Sequence, residues 1–528
     1  MNRSSATASG LSRRGRWLAL FVICFAELLV VLDNTVVVVA LPSVGIDLRT
    51  SFSGLQWMVD AYTLTFAGLL LAFGHLGDRY GRRKAMMVGL VGVGVMSAGG
   101  AVATDISQVI ASRAAMGVFA AAVFPATLAL IMNIFTDARE KALAIAAWTV
   151  MAGFAVAIGP TAGGWLLEHF SWHSVFWMNV PFAAVALIAI WLLVPESKGS
   201  HAGRLDIVGI ALSLVGITAL VWAIIEAPKH GWMAPISLAG YGLSALSLGS
   251  FVLWELRTPA PVLNMQLFRN RRFALPALTI AVGYFCLFGE LFLITQYFQG
   301  IREMTPLQFG LHALPFAACI ALGAPLALLL AQKIGTTAVL IIGLVVTSAG
   351  MYLAGQSKVD TPYFGPILLA MILLGIGIAF IQGPATESIM SSVPLDEAGA
   401  GSAVNDTTRE IGGTLGVAVL GSIAASVYTT KAKPAIDAVP DSLMNSHEKD
   451  FASQSVLSVV EIAKHPTNPL LAQPKAHLID TMKSAAVAGF EVGSYATITA
   501  ALLTAVLLAI FLPWKPATGN SVLLGWKD

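Results

Sequence analysis

Long apolar stretches fill most of the chain, and short polar or turn-forming segments separate them. A helix of about 20 apolar residues crosses the ~30 Å hydrocarbon layer of a bilayer. By this criterion the pattern predicts fourteen membrane-spanning helices, the first at residues 17–41 and the last at residues 493–512. The first apolar run is too long for the core of a cleavable signal peptide, so we expect it to remain as a span.

Lysine and arginine are concentrated in alternate connections between these spans. The two termini and the short even-numbered loops contain nineteen of them, whereas the other short loops contain four, Arg49, Lys229, Arg302 and Lys358. Because an excess of basic residues marks the cytoplasmic loops of membrane proteins, both termini are predicted to be cytoplasmic. Residues 428–492 would then form a long external segment, either a variable solvent loop or a lid that contacts substrate or lipid.

Composition supports this interpretation and excludes several others. The 528 residues are 57% apolar and only 11% charged, and their mean hydropathy is +0.78, whereas soluble proteins carry about 25% charged residues. The net charge of +2 forms no basic stripe for nucleic acid. The three cysteines lie in apolar runs without disulfide or metal-ligand spacing, and no Gly-Lys pair provides a nucleotide-binding lysine. We therefore expect neither an enzyme nor an ATP-driven pump, and no cofactor or metal.

The connection between the second and third spans contains a recognisable motif. Gly74, Asp78, Gly81, Arg82 and Arg83 fall on the pattern G-x-L-x-D-r-x-G-r-k, which resembles motif A of the major facilitator superfamily. Other stretches resemble further family motifs, which follow one another in the family's order. They are residues 32–42, residues 56–62, Arg113 with Gly117, Gly159-Pro160-Thr161-Ala162-Gly163-Gly164, and Asn179-Val180-Pro181. Together with the span count, these motifs are similar to the fourteen-span drug:proton antiporters typified by QacA and EmrB. Val38, Met116 and Phe119 depart from the family's usual residues.

The resemblance implies a major facilitator fold, in which two six-helix bundles rock around a central cavity and two inserted helices lie between them. The implied organisation is as follows: a cytoplasmic N-terminus at 1–16, an N-terminal bundle at 17–194, inserted helices at 206–256, a C-terminal bundle at 273–427 and 493–512, an external loop at 428–492 and a cytoplasmic tail at 513–528. The resemblance also implies a bacterial cytoplasmic membrane location, and we expect a monomer.

Ionisable side chains inside the spans are functional candidates because each is costly to bury in lipid. At 1.5 Å per residue, Asp33, Arg113 and Asp60 lie roughly 12, 9 and 8 Å from the outer ends of their spans. If these spans are neighbours, Arg113 can pair with either carboxylate. A carboxylate beside arginine stays ionised, whereas an unpaired one in apolar surroundings takes up a proton. We therefore predict that Asp33 carries the coupling proton, that Arg113 controls it, and that Asp60 is a second carrier or a cation contact; a static ion pair is the structural alternative.

Other residues are predicted to contact substrate or to control conformation. Glu290 occupies a level in the ninth span similar to that of Asp33 in the first, and is expected to contact cationic substrates from the opposite bundle. Tyr62, Phe285, Phe288 and Gln296 are candidates for the cavity wall. Gly159, Pro160, Gly163 and Gly164 leave one helix face without bulk, which favours a sealed contact with the opposite bundle. Arg82 or Arg83 is expected to pair with Asp396 or Glu397 across the bundles.

The leading functional hypothesis is a secondary exporter that exchanges protons for amphiphilic, cationic or lipophilic compounds. Its partners would be the lipid bilayer, small substrates and protons, with the proton gradient as the energy source. Export of an endogenous lipid, siderophore or metabolite is an alternative within transport. A membrane scaffold that does not transport is an alternative of another class.

Overall fold

A computed structural model describes residues 11–199, 205–259, 261–393, 398–441, 444, 446–454, 457 and 472–514. The described residues form helices and connections, with no strand among them. The α-helices are α1 Arg13–Asp47, α2 Phe52–Tyr80, α3 Arg82–Ala101, α4 Ile106–Ile134, α5 Ala138–His169, α6 His173–Trp177, α7 Asn179–Leu193, α8 Ile207–His230, α9 Pro235–Glu255, α10 Arg271–Thr295, α11 Pro306–Ile334, α12 Thr336–Gly355, α13 Leu368–Ser391, α14 Ala398–Asp437, α15 Ser446–Gln454 and α16 Ala472–Phe511. Short 3₁₀ or π segments occur at Met265–Arg269, Gln296–Ile301 and Tyr363–Ile367.

Nearly all of these helices are long and apolar enough to span a membrane. In the described residues, thirteen helical segments are long and apolar enough to cross a bilayer, with α6 and α7 together forming one. The 32-residue α5 supplies the remaining segment predicted as a span. The predicted class, an all-α polytopic membrane protein, is therefore confirmed.

Local sequence signals set the ends of the helices. Ser51 accepts a hydrogen bond from the Gly54 amide at the start of α2, which satisfies one of the unpaired amides there. Between α2 and α3 the chain turns within a single residue, Gly81, at φ 126°. Only glycine adopts this region without strain, so the motif A glycine is required by the turn itself.

The helices form two bundles and an inserted pair. Helices α1 to α7 pack together as the N-terminal bundle, and α10 to α14 pack with α16 as the C-terminal bundle. Helices α8 and α9 pack against each other, and α8 also contacts both α2 and α14. The inserted pair thus covers one seam between the bundles, where Leu64, Val221 and Ala418 share an apolar cluster.

The bundles are held together at one end. We call the side with the start of α1 and the motif A turn the inner side, and the opposite side the outer side. Towards the outer side, the Gln56 amide donates to the carbonyls of Val417 and Ala418 at 3.0 and 2.9 Å, and the Gln299 amide donates to the Val39 carbonyl at 3.0 Å. These bonds join α2 to α14 and the segment after α10 to α1. The structure is therefore closed on its outer side.

The described parts of the segment between α14 and α16 include helical structure. Helix α14 continues to Asp437, and α16 begins at Ala472. The Tyr428 hydroxyl donates to the Ala452 carbonyl at 2.8 Å, which ties α15 to α14. Leu457 is buried, and it occupies the space beside Gly45 of α1. The described parts of this segment therefore pack over the outer side.

Candidate functional site

The predicted acid and arginine of the N-terminal bundle meet in a dry site. Arg113 of α4 donates from Nη1 to Oδ2 of Asp33 on α1. Both residues are buried, with 0% and 1% of their surfaces exposed. Asn179 of α7 donates to the other carboxylate oxygen at 2.5 Å and also to the Ser97 hydroxyl at 3.0 Å. Three helices therefore converge on one carboxylate.

Asn179 is the member of this site that our sequence reasoning missed as a functional residue. It stood out only as part of a family motif, because an uncharged amide in a span gives no electrostatic signal. Charge-assisted hydrogen bonds to a carboxylate are about twice as strong as neutral ones. The amide therefore helps to hold Asp33 in the orientation in which it meets Arg113.

Tyr62 belongs to the same site and does not line an open cavity wall. The Arg113 guanidinium carbon lies 4.2 Å from the centroid of the Tyr62 ring, which is only 2% exposed. An aromatic series continues from Tyr62 through Phe66 and Phe124 to Trp148, with successive ring centroids 5.8 Å apart. Tyr62, which the sequence predicted to contact substrate, thus forms a cation–π interaction with Arg113 in this conformation.

Asp60 occupies a different environment from Asp33. Its two carboxyl oxygens are buried and have no hydrogen-bond partner among the described residues. Gln56 and Thr63, one turn to either side on α2, both contact α14, and the Thr63 and Thr414 hydroxyls lie 2.8 Å apart. Asp60 therefore lies on the helix face that meets the opposite bundle. Of the two aspartates that Arg113 was expected to be able to reach, Asp33 forms the ion pair in this structure.

A second group of charges lies on α14. Asp406 and Arg409 form an ion pair at 3.8 Å, and Arg409 also donates to the Thr386 hydroxyl at 3.1 Å. The Arg409 guanidinium lies 5.4 Å from the Tyr284 ring centroid. Glu27 of α1 is fully buried, and its two carboxyl oxygens have no hydrogen-bond partner among the described residues.

The small residues of α5 pack in two directions. Gly159 and Gly163 lie against Thr35 and Val36 of α1, within the N-terminal bundle. Gly164 lies against the Pro306 carbonyl of α11, and the Pro160 carbonyl lies against Gly310. The Thr161 hydroxyl also donates to the Gly310 carbonyl at 3.2 Å.

The predicted contact of α5 with the opposite bundle is thus made through Pro160 and Gly164. Gly159 and Gly163 instead allow α1 to approach α5. One stripe of small residues therefore packs helices within a bundle and also seals the seam between the bundles.

The motif A residues are engaged within their own bundle. Arg82 pairs with Asp78 at 2.7 Å and donates to the Ala129 carbonyl at 3.3 Å. The Arg83 guanidinium donates to the Val194 carbonyl at 3.2 Å, just beyond α7. Gly74 packs against Pro125. Asp396 and Glu397 lie outside the described residues, so their pairing with Arg82 or Arg83 stays a prediction.

The other predicted substrate contacts do not converge on one pocket. Phe285 and Phe288 of α10 are half-buried against glycines of α14. Gln296 lines a small outer pocket together with Phe52 and Tyr428. Glu290 is 4% exposed and borders a cavity inside the C-terminal bundle. Glu290 was expected to face the central cavity; its carboxyl instead borders a cavity whose lining comes from α10, α11, α12 and α13.

The outer seam gives a first testable result. We expect Gln56→Leu to increase the population of the outer-open conformation about threefold to tenfold. It removes hydrogen bonds across the seam, each worth about 0.5 to 1.5 kcal/mol. Distances between spin labels on the outer ends of α2 and α14 would measure the change. Gln108→Leu, at an exposed site on α4, is the matched control, and equal effects of the two substitutions would contradict this role of Gln56.

Comparison with known protein families agrees with the two-bundle helical fold described above. The family described as Major Facilitator Superfamily matches residues 23–417. The chain belongs to the Major Facilitator Superfamily. The sequence-based prediction of the family is thereby confirmed.

Several relatives within the superfamily are similar over most of their length. The multidrug efflux pump LfrA of Mycolicibacterium smegmatis is 32% identical, over 94% of this chain and 96% of LfrA. The puromycin resistance protein pur8 of Streptomyces alboniger is 38% identical, over 79% of this chain and 84% of pur8. Among solved structures, a bacterial homolog of the human lysosomal transporter Spinster, inward-facing and unoccupied, matches with a TM-score of 0.65. It covers 96% of this chain and all of its own at 14% identity, so it shows the fold alone.

Proposed function

We propose that this protein is a proton-coupled exporter of small amphiphilic, cationic or lipophilic compounds, working by alternating access in a bacterial cytoplasmic membrane with both termini inside. The observation that carries the proposal is the buried Asp33–Arg113 pair in a transporter fold whose outer side is closed. The full-length similarity to a multidrug efflux pump and to antibiotic resistance proteins supports the substrate class.

The Asp33–Arg113 pair couples a conformational change of the bundles to protonation of Asp33. While Arg113 and Asn179 hold Asp33, its carboxylate has a cation and a neutral hydrogen-bond donor beside it. A conformational change that withdraws Arg113 leaves an ionised acid in apolar surroundings, which is costly until a proton binds. Protonation of Asp33 in turn removes the attraction that fixes Arg113 and Tyr62. Proton binding at this site and bundle rearrangement therefore favour each other.

Asp60 adds a group whose environment changes with the outer seam. In the closed state it lies between two residues that contact α14, without a partner of its own among the described residues. Opening of the seam would bring external water to this carboxyl. We propose that Asp60 exchanges protons with the outer side, as a second carrier beside Asp33.

Transport by inverted membrane vesicles tests the proposed function. Respiring vesicles that contain the protein should accumulate ethidium, and nigericin, which collapses the pH gradient, should abolish the accumulation. A proton that moves down a pH gradient equivalent to 100 mV supplies about 2.3 kcal/mol, which corresponds to roughly fortyfold accumulation for each proton exchanged. Ethidium uptake that is unaffected by nigericin and by a protonophore would reject proton coupling.

A further inference from the structure

Glu290 borders an apolar cavity that the Asp33–Arg113 site does not use. The cavity has a volume of about 30 Å³ and lies inside the C-terminal bundle, between α10 and the helices α11, α12 and α13. Its walls include Phe309, Phe316, Met351 and Leu374. Both carboxyl oxygens of Glu290 are buried without a hydrogen-bond partner among the described residues. Cys286, also buried, is the other titratable side chain that lines the cavity.

These surroundings favour an acid that carries its proton. An ionised carboxylate without a cation or donor beside it is far more costly to bury than a neutral polar group. None of the residues lining the cavity is cationic. The cavity is large enough to hold one water molecule, which needs roughly 10 to 15 Å³. A neutral glutamic acid, hydrated by at most one or two waters, fits this site.

Glu290 and Asp33 occupy comparable places in the two bundles, with opposite surroundings. Each lies on the helix that opens its bundle, α1 or α10, and each points into that bundle. Asp33 meets an arginine from the fourth helix of its bundle. The fourth helix of the other bundle, α13, presents Leu374 and Ile378 to Glu290. One bundle therefore stabilises a carboxylate where the other stabilises a carboxylic acid.

The wall of the Glu290 cavity is also part of the outer seal. Phe309 of α11 lines the cavity, and the next residue, Gly310, packs against the Pro160 carbonyl of α5. Ala313, one turn further along α11, lines the cavity as well. Separation of α5 from α11 on the outer side would therefore displace α11 at the cavity wall. Access of external water to Glu290 is thus linked to the seam that opens and closes during transport.

On these grounds, and resting on the proposed function, we propose that Glu290 is a proton-binding group of the transport cycle in the C-terminal bundle, in addition to Asp33 and Asp60. It binds a proton from the outer side when α11 separates from α5, retains it in the apolar cavity described above, and releases it to the inner side when the bundles open there. This role differs from the cationic substrate contact that its position in the sequence predicted.

The number of protons per transported molecule tests this proposal. Purified full-length protein in liposomes, with ethidium as the probe and an imposed proton-motive force, gives a steady accumulation ratio. Loss of one coupled charge lowers that ratio about fortyfold when the force applied equals 100 mV per charge. We expect Glu290→Gln to lower the accumulation ratio by this factor and to leave ethidium–ethidium exchange at equilibrium unchanged. Glu290→Asp should retain most of the ratio.

The controls separate this proposal from its alternatives. Glu387→Gln, at an exposed glutamate of α13, should leave the ratio unchanged. An unchanged ratio in Glu290→Gln would overturn the proposal, and so would loss of ethidium exchange in a stably folded Glu290→Gln, which would indicate substrate contact. If Glu290→Gln does not fold, Glu290→Asp is measured instead. An accumulation ratio that still depends on the pH gradient supports the proposal, and loss of ethidium exchange by Glu290→Asp contradicts it. A wild-type protein that accumulates no ethidium would contradict the proposed function itself.

Discussion

Asp33→Asn is expected to abolish proton-driven accumulation, reducing the ratio of substrate inside inverted vesicles to that outside to about one. The asparagine keeps the size of the side chain but cannot exchange a proton, so the pair loses its two protonation states. Ethidium accumulation under a pH gradient measures the effect. Asp105→Asn is the matched control, because Asp105 is an exposed helix cap at the outer end of α4 and asparagine caps helices equally well.

Stability must be separated from coupling in this experiment. Removing one partner of a buried ion pair costs about 3 to 5 kcal/mol, since the other charge is left without compensation. We therefore expect Asp33→Asn to lower the melting temperature, and the double variant Asp33→Asn with Arg113→Gln to regain much of it. The double variant should remain uncoupled. Recovery of accumulation together with stability would show that the pair serves only to pack the helices.

Gly164→Leu is expected to abolish net transport by preventing closure of the outer side. A Cβ atom at Gly164 would overlap the backbone of Pro306 and Leu307 on α11, which cannot rotate away as a side chain could. The bundles would be forced apart at this seam, and the outer-open conformation would be trapped. Labelling of an introduced cysteine, Leu307→Cys, by a membrane-impermeant maleimide in whole cells would detect the trapped state, alongside loss of ethidium export.

Gly153→Leu provides the control on the same helix. Beyond the local backbone of α5, no atom of the described residues lies within 4 Å of a Cβ placed at Gly153, so the same substitution should be tolerated there. Its transport and its labelling should match those of the wild type within about twofold. If the Gly164→Leu protein exported ethidium and was labelled to the same extent as the Gly153→Leu protein, the close approach of α5 and α11 would have no role in gating.

The level of a residue in the membrane could be predicted from the sequence, but its direction around the helix axis could not. A fixed rise per residue placed Asp33 and Arg113 at similar depths, and the structure brings them together. Asp60 shares that level, yet it lies on the face of α2 that meets α14. Gln56, Asp60 and Thr63 are spaced four and three residues apart and form one polar stripe on a mostly apolar helix. This stripe marks the face of α2 that meets α14, and the level of Asp60 alone did not reveal it.

Side-chain contacts that depend on tertiary packing could also not be predicted from the sequence. The small-residue contact of α5 with the opposite bundle follows from local chemistry and was expected. Glu290 was placed at the right level but pointed towards the wrong cavity, because the helices around it are uniformly apolar. Asn179 lies 146 residues after Asp33 in the chain, so only the packing of α7 against α1 brings the two side chains together.

Proton movement driven by substrate is the most direct test of the central claim that Asp33 exchanges a proton during transport. Liposomes containing the purified protein and a trapped pH indicator would receive an ethidium gradient without any imposed pH gradient or potential. The account predicts that wild-type protein moves protons against the direction of ethidium flow, and that Asp33→Asn moves none while it still exchanges ethidium. Equal proton movement by the two proteins would contradict it.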